Sequence, residues 1–115
     1  MAEHAVTVKH TIEGAASVLE LTGRFDAAAV PHAHDKFSEA VAAGAPIVID
    51  VGKLSFLSSA GLRLILKTMK QAQAMRQPFV IAGAKGPVKE ILDSIGLRQF
   101  CPFARNRNEA LAKLA

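Results

Sequence analysis

Apolar and polar residues alternate at the start of the chain. Residues 6–12 place Val and Ile at even spacing, and the same alternation returns over residues 16–21. A repeat of two residues is typical of a strand with one buried face. The pattern therefore predicts two strands joined by a turn at Glu13–Gly14, with the second strand ending at Gly23.

The apolar positions then change to helical spacing. From Ala27 to Ala43 they recur every three or four residues, which is typical of an amphipathic helix. Asp26 can cap the first turn, and Gly44 can end the helix. Pro31 falls in the first turn if the helix starts near Ala28, where a missing N–H does little harm. We therefore predict a helix capped by Asp26.

Buried strands and further helices follow in turn. The β-branched run from Pro46 to Val51 is typical of a strand buried on both faces of a parallel sheet. After it come a predicted loop at Gly52–Leu57, a helix from about Ser59 to Arg76, a strand at Phe79–Ala82, and helices at Pro87–Ile95 and Asn108–Leu114. This order predicts an α/β fold in which a mixed sheet, with an opening hairpin and then parallel strands, is flanked by about four helices. The 115 residues are expected to form one domain, residues 1–115.

The helix predicted from Ser59 has two distinct sides. Leu62 and Ile65 lie on the side that we expect to meet the sheet. Leu64 points elsewhere, next to the side that carries Arg63 and Lys67. The pattern predicts an exposed docking strip here, with an ordinary surface leucine as the alternative.

Composition narrows the classes of function. No apolar run approaches the roughly 20 residues of a membrane span, and the N-terminus lacks a secretory pattern, so we expect a cytoplasmic protein without a membrane span. The 14 basic and 10 acidic residues are scattered, and Trp and Tyr are absent, so no direct binding of nucleic acid is expected. Cys101 is the single cysteine, which leaves no pair for a disulfide or a zinc site. We expect neither a metal nor a cofactor.

The most unusual segment lies between the buried strand and the helix that follows. It reads LSFLSSAGLRLIL from Leu54 to Leu66, and it resembles the phosphoacceptor loop of the STAS domain, the module of anti-sigma factor antagonists. LTGRFDAAAV at Leu21–Val30, IVIDVGKLSF at Ile47–Phe56 and EILDSIGL at Glu90–Leu97 resemble further segments of that family, in the same order. The resemblance covers most of the chain and implies the STAS fold.

The resemblance also implies a site. It places the family's modified serine at Ser59, with Ser58 as the alternative, and Asp26 corresponds to the acidic residue beside the phosphoacceptor loop. Two positions depart from the family pattern, since Ser58 stands where Asp is usual and Ala60 where Ser or Thr is usual. Together with the helix strip, the candidate partner-binding residues are Asp26, Ser58, Ser59, Ala60, Gly61, Arg63, Leu64 and Lys67.

The function that the resemblance implies is a non-enzymatic switch. The unphosphorylated chain would bind an anti-sigma factor that is also a serine kinase of histidine-kinase-like ATPase fold, and would so release a sigma factor. Phosphorylation of Ser59 would abolish binding, and a serine phosphatase would restore it. One alternative is a STAS module of a complex without a sigma factor, such as a lipid-transport subunit or a signalling scaffold. The other alternative is a serine hydrolase.

The residues themselves suit modification at this point. Ser58 or Ser59 can cap the following helix, because a hydroxyl accepts a hydrogen bond from a free N–H of the first turn. A phosphate there would lie at the positive end of the helix dipole, an interaction worth up to about 2 kcal/mol, so the fold should persist. Desolvating a charge of about −1.5 to −2 at an interface can cost several kcal/mol, which weakens binding by a hundredfold or more.

A hydrolase would need a base beside Ser59. The histidines, His4, His10, His32 and His34, are expected at the surface, and the last two lie two residues apart on a helix, where their side chains diverge. Asp50, inside the apolar strand, is interpreted as a buried, hydrogen-bonded acid of structural use, with an acid at the strand end that faces the loop as the alternative. The glycine-containing stretch AGAKGP lacks the ending of a phosphate-binding loop. The sequence therefore indicates neither a catalytic base nor a nucleotide site.

Overall fold

The computed structural model describes residues 6–114, which form a five-stranded sheet in the order β1-β2-β3-β4-β5. The strands are Thr7–Glu13 (β1), Ala16–Phe25 (β2), Ile47–Leu57 (β3), Phe79–Ala82 (β4) and Phe103–Ala104 (β5). β1 pairs antiparallel with β2, and all later neighbours are parallel. This confirms the predicted mixed sheet with an opening hairpin. The short strand β5 was not predicted.

Four α-helices flank this sheet within residues 6–114. They are Val30–Ala43 (α1), Ser59–Ala74 (α2), Gly86–Ser94 (α3) and Arg107–Leu114 (α4), and short 3-10 helices occur at Ala27–Ala29 and Leu97–Gln99. The larger core lies between one sheet face and α1, α2 and α3, and a smaller core lies between the other face and α4. In this part of the chain no helix combines the length and the apolar character needed to cross a membrane.

Both β2 and β3 are longer than predicted. The sequence predicts that the second strand ends at Gly23 and that residues 52–57 form a loop, but strand pairing continues to Phe25 and Leu57. The register shifts twice along this pair, and such bulges let a strand continue through residues that otherwise end it. These two predictions were wrong because a glycine can mark a bulge as well as a strand end. The longer strands bring Phe25 beside the start of α2.

Gly44 ends the first helix as predicted, whereas Asp26 caps a short 3-10 turn that leads into α1 and not α1 itself. A 3-10 turn at Ala27–Ala29 precedes α1, and the Asp26 carboxylate accepts a hydrogen bond from the Ala29 N–H at 3.1 Å. Gly44 ends α1 with a φ of 76°, a left-handed conformation that glycine adopts readily. The Asp26 side chain is thereby fixed just beyond the end of β2.

An ion cluster fastens α4 to the sheet. The Arg107 guanidinium donates to Glu13 at 2.9 Å, to Asp50 at 3.0 Å and to Glu20, one carboxylate from each of three neighbouring strands. Asp50 also accepts from the Gly52 N–H at 3.0 Å, which confirms its interpretation as a hydrogen-bonded acid.

The cluster also changes the acidity of one carboxyl group. Burial alone would raise the pKa of Glu20, but the charges and hydrogen bonds of Lys53 and Arg107 outweigh it, so this pKa lies below its usual value.

Candidate functional site

Ser58 connects the end of β3 to α2, and it forms hydrogen bonds both with the end of β2 and with the first turn of α2. Its backbone N–H and its hydroxyl each donate to the Phe25 carbonyl oxygen at 2.9 Å. The hydroxyl oxygen also accepts from the Gly61 N–H at 3.1 Å, which makes Ser58 the N-cap of α2. The Ser58 hydroxyl is therefore engaged as both donor and acceptor.

Ser59 is placed differently, although it is the next residue. It is the first residue of α2, and it is exposed, whereas Ser58 is half-buried. The sequence left both serines open as the cap and as the phosphoacceptor. The structure assigns the cap to Ser58 and leaves the Ser59 side chain facing solvent.

Gly61 is buried where α2 meets the ends of β2 and β3. A Cβ added at Gly61 would lie 2.9 Å from the Phe25 ring, 2.9 Å from the Phe25 carbonyl oxygen and 3.1 Å from the Leu57 side chain. Contacts under 3.0 Å are essentially never found for real Cβ atoms. The first turn of α2 can therefore approach the end of β2 this closely only without a side chain at Gly61.

The structure brings Asp26 and the turn at Ser58 to the same edge of the sheet. Asp26 directly follows Phe25, the residue whose carbonyl oxygen Ser58 contacts. Its side chain is half-buried. This confirms the expected position of Asp26 beside the loop, at the carboxyl ends of β2 and β3.

A groove of about 430 Å³ lies next to Ser59, between the first turns of α1 and α2. Apolar side chains from both helices form its floor, and basic or titratable side chains form its rim. The floor includes the half-buried Val30 and the buried Leu64, and the rim includes the exposed His34, Arg63 and Lys67. Arg63 and Lys67 are exposed, and the ion pairs formed among residues 6–114 include neither of them.

The prediction of an outward-facing Leu64 was wrong. Leu64 is only 7% exposed, and Thr68 is also buried. The reason is that α2 is covered on two sides, because its residues pack against α1 as well as against the sheet. Leu62, which was expected to meet the sheet, is only partly buried. Leu64 thus belongs to the core, and it also lines the groove.

The histidines differ from one another in their surroundings. His32 and His34 are exposed on α1, as expected. The prediction for His10 was wrong, since its side chain is only 13% exposed and lies against α1, with Nδ1 3.5 Å from Glu39 Oε1. His4 lies outside the described residues. The hydrogen bonds found between residues 6 and 114 include none that joins a histidine to Ser59.

Neither the Phe25 carbonyl nor the α1 side of the groove was predicted from the sequence. A backbone carbonyl carries no side-chain signal, so the contact with Ser58 could not be found from residue types. Val30 and His34 lie four residues apart, and residues at that spacing share one face of a helix. The helical pattern of α1 could therefore have identified them together.

Known proteins resemble this chain in sequence. A family model described as STAS domain matches residues 6–110. The Bordetella bronchiseptica protein BtrV, which carries the name of an anti-sigma factor antagonist, is 35% identical over 66 residues. That match covers 57% of this chain and 57% of BtrV, so it spans little more than half of the relative's length.

Solved structures share the fold. An anti-sigma factor antagonist from Mycobacterium paratuberculosis superposes with a TM-score of 0.86 at 24% identity, over 95% of this chain and 93% of the other. The Bacillus cell fate determinant SpoIIAA in its phosphorylated form has a TM-score of 0.75 at 23% identity, over 96% of this chain and 100% of the other. At these identities the likeness concerns the arrangement of strands and helices.

Proposed function

This chain belongs to the STAS domain family, and from that premise we propose that it is an anti-sigma factor antagonist controlled by phosphorylation of Ser59. The unphosphorylated chain binds an anti-sigma factor of histidine-kinase-like ATPase fold, which is also the serine kinase. The phosphorylated chain does not bind, and a serine phosphatase restores binding. The chain itself acts by binding and catalyses no reaction.

The exposure of Ser59 carries this proposal. A kinase needs an accessible hydroxyl, and Ser59 faces solvent on the first turn of α2. The neighbouring Ser58 hydroxyl would first have to leave the Phe25 carbonyl and the Gly61 N–H. This difference favours Ser59 over Ser58 as the phosphoacceptor.

The surroundings of Ser59 suit a modification that changes binding and not folding. A phosphate at the start of α2 lies at the positive end of the helix dipole, which favours it by up to about 2 kcal/mol. A partner surface that is complementary to a neutral hydroxyl must then desolvate a charge of about −1.5 to −2 at the sheet edge where Asp26 also lies. The Bacillus relative has this fold in a phosphorylated form, which supports the compatibility of phosphate with the fold.

Binding experiments with three variants test the switch. We expect Ser59→Ala to bind a candidate anti-sigma factor from the same genome as tightly as the wild type. Ser59→Asp should bind at least tenfold more weakly, because its carboxylate imitates part of the phosphate charge. Ser38→Asp is the matched control, since Ser38 is an exposed serine on α1. Equal binding by Ser59→Ala and Ser59→Asp would overturn the proposal.

Incubation with the same anti-sigma factor and ATP tests the modification directly. Intact mass and fragmentation of the peptide that holds both serines should show one phosphate, at Ser59. Ser59→Ala should not be modified, and Ser58→Ala should still be modified. Phosphate on Ser58 in the wild type would contradict the assignment.

A further inference from the structure

We propose that the groove between α1 and α2 receives a carboxylate-bearing segment of the partner, and that a phosphate on Ser59 removes Arg63 from this contact by pairing with it. The inference rests on the proposed function and deepens it, because it states the chemistry of the partner segment and names the residue through which the modification acts.

The groove combines an apolar floor with a positive rim. Val30 and Leu64 offer apolar contact, while Arg63 and Lys67, one helical turn apart on α2, carry positive charge along the same side. Within the described residues, the lining of the groove contains no carboxylate. Such a surface is complementary to a segment that presents carboxylates around one or two apolar side chains.

Arg63 and Lys67 are available to a partner, unlike the basic residues that already form ion pairs within the chain. Lys89 and Arg98, for example, both pair with Asp93, at 2.7 and 3.1 Å. A partner carboxylate that approached those residues would compete with an internal one. Arg63 and Lys67 take part in none of the ion pairs among residues 6–114, so a carboxylate can reach them without displacing another.

The spacing of Ser59 and Arg63 links the groove to the modification. They lie four residues apart on α2, where side chains are neighbours with Cβ atoms about 5–6 Å apart. Both are exposed, and a guanidinium binds phosphate oxygens through two parallel hydrogen bonds. A phosphate of about −1.5 to −2 would cancel most of the charge of Arg63 and Lys67 together, and would turn Arg63 away from the partner.

Phosphoserine placed at position 59 during translation tests the pairing without any partner. Phosphorus NMR titration gives the second pKa of the phosphate, which is ordinarily about 6. We expect Arg63→Gln to raise this pKa by about 0.15 to 0.35 unit, because a nearby guanidinium favours the dianion. Lys67→Gln, one turn further along α2, should raise it by less than half as much. Equal shifts in the two variants, or no shift in Arg63→Gln, would overturn the role of Arg63.

Binding to the anti-sigma factor that captures the wild type tests the partner chemistry. Arg63→Glu and Lys67→Glu should each weaken binding at least tenfold, and the loss should shrink at high salt. Lys70→Glu is the control, because Lys70 is exposed on α2 but does not line the groove. An equal loss of binding in Lys70→Glu would contradict the proposal that an acidic segment of the partner binds in this groove. If no anti-sigma factor binds the wild type, the proposed function fails, and the phosphate titration still decides the role of Arg63.

Discussion

Arg107 and Arg63 lie near the starts of two helices and have opposite surroundings. Arg107 contacts a carboxylate from each of three strands, and its side chain is 27% exposed. Arg63 is exposed and forms no ion pair within residues 6–114. A charge whose partners lie within the chain stabilises the fold, whereas a charge without them contributes little to stability and remains available for binding.

Ser58 and Ser59 repeat this contrast within two adjacent residues. The Ser58 hydroxyl bonds to Phe25 and Gly61, while Ser59 faces solvent. Residue type alone therefore does not separate a structural group from a functional one. The separation depends on whether the fold already satisfies the charge or the hydrogen bond.

The largest loss of stability should come from filling the space at Gly61, which lies in the first turn of α2 between Ser58 and Arg63. Gly61→Ala should lower the free energy of unfolding by about 3 kcal/mol, because the new methyl group overlaps Phe25. Urea unfolding measures this loss. Gly14→Ala is the control: its Cβ meets no atom within 4 Å, and only its left-handed backbone costs about 1 kcal/mol. Equal losses would mean that close contact at Gly61 is unimportant.

Substitution of the two arginines tests whether an arginine that forms ion pairs within the chain contributes more to stability than one that does not. Arg107→Met should lower the free energy of unfolding by about 2 kcal/mol, because it leaves partly buried carboxylates without their cation. Arg63→Met should change it by less than about 0.5 kcal/mol, as at an ordinary surface position. Arg105→Met serves as an exposed control, since Arg105 pairs only with Glu109 in the described ion pairs. A large loss of stability in Arg63→Met would contradict the view that an arginine without ion pairs in the chain contributes little to the fold.

The alanine variants of the two serines should differ in the free energy of unfolding by a smaller amount. Ser58→Ala should lower the free energy of unfolding by about 1 to 1.5 kcal/mol, since it removes a helix cap and a hydrogen bond to Phe25. Ser59→Ala should have almost no effect. Thermal unfolding of both variants beside the wild type measures the difference, and a greater loss in Ser59→Ala would reverse the assignment of the cap.

The smallest effect is a change in how stability depends on pH. The pKa of Glu20 in the folded chain lies below its ordinary value of 4.5, so its contribution is present above pH 4.5 and is lost as the pH falls through the folded pKa. Wild-type stability should therefore decrease in acid more steeply than that of Arg107→Met, in which Lys53 alone faces Glu20. Urea unfolding between pH 6 and pH 3 tests this, and parallel curves would contradict it.

Local patterns were enough to predict most of the fold. Runs such as residues 47–49 and 79–82 are apolar on both faces, and the caps at Asp26 and Gly44 follow from residue type. The burial of Leu64 could not be predicted in this way, because it depends on α1 packing against α2. The bulges of β2 and β3 depend likewise on pairing between distant segments.

The candidate site was predicted in position but not in detail. The resemblance placed Asp26 and the two serines together, yet it could not separate Ser58 from Ser59. That separation depends on the Phe25 carbonyl, 33 residues from Ser58 in the chain. No property of the serines themselves indicates that contact.

The double contact of Ser58 with the Phe25 carbonyl also bears on how fast a partner can associate. Because these two bonds already join the end of β2 to the start of α2, little conformational entropy remains to be lost on docking. A partner then meets a preformed surface, for which association rate constants are typically about 10⁵–10⁷ M⁻¹s⁻¹. Differences in affinity between the unphosphorylated and the phosphorylated chain should accordingly appear mainly in the lifetime of the complex.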